Sequence, residues 1–155
     1  MKKFVFELQK VLEFRDFEKK QAEGELAKAL AVETEIQNNL KTIAQQMINL
    51  DRYMKGSVDF SDVISMSQNK SLLNYQKEEL LKQLAQAQLV TQEKREILTE
   101  CMKKTTALEK MKEMQLSKYK EEQKLIEKKR IEQLANNKIN EKVLSELSNG
   151  KQNLQ

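Results

Sequence analysis

The strongest constraint on this chain is an apolar repeat, in alternating steps of three and four residues, that runs, breaks once and resumes. From Ala22 it passes through Leu26, Ala29, Glu33, Ile36, Leu40, Ile43, Met47, Leu50 and Met54, and Glu33 is its one charged member. After Gly56 and a polar stretch it resumes through Leu80, Leu84, Ala87, Thr91, Lys94, Leu98, Cys101, Thr105 and Leu108. Such steps average about 3.5 residues, the spacing at which a helix turns one stripe toward a partner helix. A stripe that resumes after a short break predicts an all-α fold, a long antiparallel two-stranded coiled-coil hairpin. A fold of this kind works through its surface, its ends and its stiffness.

Composition agrees with the pattern. Proline, tryptophan and histidine are absent, glycine occurs three times in 155 residues, and charged residues make up 34%. That mixture with a 3.5-residue period belongs to long helices, which expose most of their surface and therefore need many charges. Zero histidine excludes Ser-His and Cys-His nucleophile pairs and any imidazole zinc site. The single cysteine, Cys101, lies on the second seam and reads as a small packed residue. Carboxylates on a solvated helix are surface charge, and no glycine-rich phosphate loop occurs. The chain is therefore expected to be no enzyme, with no catalytic residue, cofactor or metal.

The start, Met1-Lys2-Lys3-Phe4-Val5-Phe6, opens like a signal peptide, but Glu7, Gln9 and Lys10 interrupt the apolar run. Nothing approaches the ~18 apolar residues of a membrane span. The expected location is the cytoplasm.

The pattern divides the single domain into a helix over 3–55, a connection over 56–68, a helix over 69–147 and a frayed tail over 148–155. Gly24 inside the first helix costs on the order of 1 kcal/mol relative to alanine. Asp59 is placed to cap a short helical turn at the tip, carrying Phe60, Val63 and Ile64 over the last seam layers. The second helix is expected to stop before Asn149-Gly150. At 1.5 Å per residue the arms are about 80 and 118 Å long, so they are unequal. With Met54 facing Leu72, the first arm runs out opposite Tyr119 and the last part of the second arm has no partner. This register puts Glu33 near Lys94, and Arg15 near Glu109 and Glu113, as polar seam pairs that fix alignment.

Two further signals bear on function. Phe4, Phe6, Phe14 and Phe17 are more aromatic rings than one seam needs. Either they wrap over the second arm or they serve as anchors for a partner at the open end. The second arm is rich in lysine, but glutamates interleave at helical neighbour spacing. With a net charge of +4 and no basic aromatic platform, nucleic-acid binding is not expected.

Several segments, in order, resemble a known family. Phe4-Val5-Phe6-Glu7-Leu8-Gln9-Lys10-Val11-Leu12 is similar to the F-x-F-x-L-x-K-V-L opening of the FliJ family, the coiled-coil protein of the flagellar type III export apparatus. Asn74-Tyr75-Gln76 resembles the family's tyrosine motif after the tip. Leu108-Glu109-Lys110-Met111-Lys112, then Tyr119 and Ile131-Glu132-Gln133-Leu134-Ala135, resemble its C-terminal pattern. Glu7 and the Glu132-Gln133 pair depart from it.

The resemblance implies a cytoplasmic hairpin, peripheral at the membrane-associated export apparatus and similar in shape to the central stalk of rotary ATPases. Its partners would be the hexameric flagellar export ATPase, the membrane protein of the export gate, and export chaperones. It further implies ATPase contacts on Phe4, Phe6, Leu8, Val11, Arg15, Met111, Met114 and Lys118, and gate contacts on Leu50, Tyr53, Leu72 and Tyr75. The expected state in isolation is a monomer. The alternative is a structural scaffold or adaptor that dimerises through its long arm. That reading needs sustained apolar seam positions over 120–130, where Ile126 has little apolar company.

Overall fold

A computed structural model describes residues 2–56 and 59–153. The element order is α1 (Gln9–Met54, 46 residues) followed by α2 (Phe60–Gln152, 93 residues). No strand occurs among the described residues. The chain falls into two compact units, one formed by Lys10–Thr106 and the other by Met1–Gln9 with Ala107–Gln155.

Within Lys10–Thr106, α1 and the first half of α2 make the helical hairpin that the repeat demands. Ala22, Ala29, Ile36 and Ile43 are buried, and Leu26, Glu33, Leu40, Met47, Leu50 and Met54 are half-buried. On α2, Ala87, Thr91 and Thr105 are buried, while Leu80, Leu84, Lys94, Leu98 and Cys101 are half-buried. Every seam position read from the sequence is thus withdrawn from water in this unit. Two of the most buried are polar, Thr91 at 4% exposure and Thr105 at 1%. Each hydroxyl donates to the carbonyl four residues earlier in its own helix, Thr91 to Ala87 at 3.0 Å and Thr105 to Cys101 at 2.9 Å. The seam can therefore bury them without a partner across the interface.

The bounds differ from those expected. The second helix begins at Phe60, not 69, so the connection is far shorter than 56–68; residues 57 and 58 lie outside the described part. Asp59 precedes the first helical residue, and its carbonyl accepts the Val63 amide at 3.1 Å. The turn expected at the tip is thus the first turn of α2 itself, with Asp62 placed where the helix dipole favours an anion. The expected closure of the tip is not seen: Phe60 is 80% exposed, and Val63 and Ile64 are also exposed. Polar residues over 65–71 masked this part of the helix. Met66 and half-buried Leu73 occupy every second seam position, but Lys70 and Lys77 stand between and beyond them, so only half a seam shows. At the end of α1, the Gly56 amide bonds the Tyr53 carbonyl at 3.1 Å, and a side chain there would come within 3.3 Å of that oxygen. At the other end, Asn149-Gly150 does not stop α2, because no described glycine adopts the left-handed backbone that a glycine cap requires. Of the expected tail, 148–152 is helical, and residues 154 and 155 lie outside the described part.

The alignment also differs. Lys94 bridges Glu25 at 4.0 Å, not Glu33, and Lys70 bridges Asp51 at 3.4 Å. Glu25 lies eight residues before Glu33, more than two turns, so the expected Glu33–Lys94 pair is corrected. Leu72 accordingly shares a groove with Asn49, Leu50 and Tyr53, and Met54 does not line it. The early start of α2 explains the shift, since the point of reversal lies several residues nearer α1. Glu33 has no ion-pair partner among the described residues, and Arg15 pairs within α1 to Glu18 at 3.0 Å.

Two measurements check this packing. Ile43→Ala should cost about 2–4 kcal/mol in chemical denaturation, because the side chain is deleted from a buried layer. Ile48→Ala, at a position 46% exposed, should stay within about 0.5 kcal/mol. A double-mutant cycle on Glu25 and Lys94 should give a coupling of about 0.5 kcal/mol at low salt that fades at high salt. The cycle on Glu33 and Lys94 should give none.

Candidate functional site

The unit made by Met1–Gln9 and Ala107–Gln155 is built differently from the hairpin. Residues 2–6 are not helical, and α1 starts at Gln9 rather than at 3. Phe4-Val5-Phe6 combines aromatic and β-branched side chains of modest helix propensity, and an irregular backbone there can turn Phe6 into the unit's interior. Phe6 is 5% exposed, the most buried apolar side chain described. Half-buried Phe4 lies against the Tyr119 ring, with centroids 5.6 Å apart and planes tilted by 50°. The Tyr119 hydroxyl donates to the Lys2 carbonyl. Lys112 Nζ donates to the Gln9 side-chain oxygen at 2.8 Å. The segment is thus strapped along α2 by a ring, a hydroxyl and an ammonium group. Tyr119, expected to face the end of the first arm, meets it through this strap.

The residues implied in ATPase contacts divide between the two units. Phe4, Phe6, Leu8, Met111, Met114 and Lys118 belong to the strapped unit, whereas Val11 and Arg15 belong to the hairpin. Phe6 and Phe4 are committed to packing, so wrapping holds for these two rings. Phe14 and Phe17 are more than half exposed, and the Arg15 guanidinium carbon sits 6.0 Å from the centre of the Phe14 ring. Along α2, Ala107, Lys110, Met111, Met114 and Lys118 line an open concavity of about 920 Å³. Their spacing places them on one helical face. Met114 is 73% exposed, so this face presents pliant thioether among charged heads of both signs, Lys110 and Lys118 with Glu113 and Glu121.

The residues implied in gate contacts all lie in the hairpin. Leu50, Tyr53 and Leu72 come together with Asn49, Asn69 and Leu73 in a groove of about 560 Å³ between α1 and α2. Tyr75 does not line it, but it is exposed one turn beyond Leu72. The structure therefore brings three of the four into one site.

Most ion pairs are between neighbours on one helix, such as Glu25 with Lys28 and Glu79 with Lys82. No cluster of three potential metal ligands occurs among the described residues. No described helix is long and apolar enough to cross a membrane. Sequence reasoning missed two features, the strap conformation of residues 2–8 and the early seam residues Met66 and Leu73. A Phe-x-Phe pair ahead of a helix was a signal for the first.

A seam-packed hairpin with solvated faces defines a class, the two-stranded coiled-coil proteins. Within that class the chain belongs to the FliJ family, since the family profile described as flagellar FliJ protein matches residues 4–143. It is a component of the flagellar protein export apparatus. Comparison with curated proteins and with solved structures gave no significant match.

The strap provides a test of its own anchoring. Phe6→Ala should speed trypsin cleavage at Lys2, Lys3 and Lys10 by about tenfold or more, because a local opening loses about 2–4 kcal/mol of packing. Leu8→Ala, at a half-open position, should change it little.

Proposed function

We infer that this protein is a non-enzymatic coupling stalk of flagellar export. It binds the hexameric export ATPase through its open end and the gate's membrane protein through another part of the hairpin, at the cytoplasmic face of the membrane. Family membership over residues 4–143, together with the exposed Met111, Met114 and Lys118 face, carries the reading. A ring of subunits needs a partner that is stiff, adaptable at its contacts and free of competing chemistry. Thioethers set among charged side chains suit contact with several similar surfaces in turn. The groove of Leu50, Tyr53 and Leu72 supplies a separate apolar site with polar asparagine edges, suited to the gate. Export chaperones are further candidates for the hairpin's solvated faces.

The competing scaffold reading needs a sustained seam in the distal part of α2, where all of residues 128–153 are exposed. Of the apolar residues there, Ile131, Ala135, Ile139, Val143 and Leu147 recur in steps of four, with Leu134 and Leu144 off that row. Each such step drifts by about 40° around the helix, so the stripe winds away from any one face. A long straight dimer seam is not supported by this pattern, and the stalk reading is preferred. Sedimentation is then expected to give a monomer of 18.2 kDa.

The direct test is the hydrolysis rate of the export ATPase with substoichiometric amounts of this protein. Stimulation is expected for the full chain. It should be lost when Met111→Glu and Met114→Glu are combined, and lost again when residues 1–17 are removed. Tyr53→Ser with Leu72→Ser should leave stimulation intact while weakening capture by the cytoplasmic part of the gate protein. Unchanged stimulation in the first two variants refutes the assignment of the open end.

A further inference from the structure

A second groove in the Lys10–Thr106 unit lies between α1 and α2, well away along both helices from the one holding Tyr53. Its volume is about 390 Å³. Ala29, Ile36 and Ala87, each 8% exposed, form its floor. The facing alanines leave the depression open, because their methyl groups do not fill the space that leucines would. Val32 and Val90 form its walls, and Val32 is 50% exposed. Gln83 and Gln86 stand on its lip, and their amides have no hydrogen-bond partner among the described residues.

The unpaired charge around this groove is acidic. The positions that flank it carry Glu25 and Glu35 on α1, and Glu79 and Glu93 on α2; Glu25 is bridged by Lys28 and Lys94 and Glu79 by Lys82, which leaves one unpaired carboxylate on each helix. Glu35 and Glu93 have no ion-pair partner among the described residues. An apolar trough between two parallel ridges accepts the apolar stripe of a third helix, and its flanks select that helix by charge.

We propose that this groove is a docking site for a single amphipathic helix of a partner protein, with aliphatic residues on the seam side and lysine or arginine on both flanks. The incoming helix seats two or three aliphatic side chains over Ala29 and Ala87 between the valine walls. Its basic flanks meet Glu35 and Glu93, and its polar side chains bond the free glutamine amides. The site is independent of the contacts assigned to the ATPase and the gate.

The test uses the full-length chain and two labelled synthetic helices about three heptads long, each with a leucine stripe. One carries lysine and arginine flanks, and its twin carries glutamates. Fluorescence anisotropy should show the basic helix bound, and the acidic twin bound at least tenfold more weakly. Val32→Ser combined with Val90→Ser should weaken the basic helix by about tenfold without altering net charge. Glu35→Gln combined with Glu93→Gln should weaken it several-fold and flatten its salt dependence. Tyr53→Ser should have no effect, and circular dichroism should report the same helicity for all variants. Equal affinity for the two helices, or affinity indifferent to the serine pair, overturns the proposal. Concentration-dependent dimerisation abolished by the serine pair would also overturn it, by assigning the groove to a second copy.

Discussion

In the hairpin unit, structure depends on burial along a stripe one residue wide on each helix. A globular core surrounds its central side chains, but a two-helix seam covers each layer from one side only. The buried positions Ala22, Ala29, Ile36 and Ile43 are spaced seven residues apart, and half-buried residues alternate between them. No side chain in the seam compensates for a poor neighbour from a third direction. Stability therefore accumulates layer by layer, and the solvated flanks remain free to vary in charge and in contacts.

The fold was legible because heptad spacing is a property of neighbours along the chain. Ala22 through Met54 and Leu80 through Leu108 could be followed without knowing what they met. Alignment is a property of pairs, and there the sequence misled. Glu33 and Lys94 had the charges of a seam pair, yet the closest acidic partner of Lys94 is Glu25. The cause lies at the tip. Lys70 and Lys77 interrupt the start of α2 at alternate seam positions, so Met66 and Leu73 looked isolated and the helix seemed to begin later. A shift at the tip moves every pair along the two helices.

The candidate sites were legible to different degrees for the same reason. Leu50, Tyr53 and Leu72 came together because all three follow from seam neighbours on either side of the tip. Phe4 and Phe6 carried no such periodicity, and one aromatic ring looks the same whether it anchors a partner or its own chain. The structure commits both to the chain and leaves Met114 and Phe14 open to solvent. Membership of the FliJ family places the protein in flagellar export.

The hydroxyls of Thr91 and Thr105 satisfy themselves on their own helix. A buried polar group that bonds across an interface ties the evolution of two positions together, since losing one strands the other. Here a change from threonine to valine or alanine leaves no orphan on α1. Each strand of the seam can drift without a compensating change in its neighbour, so covariation between the helices should be weakest at the most buried polar layers.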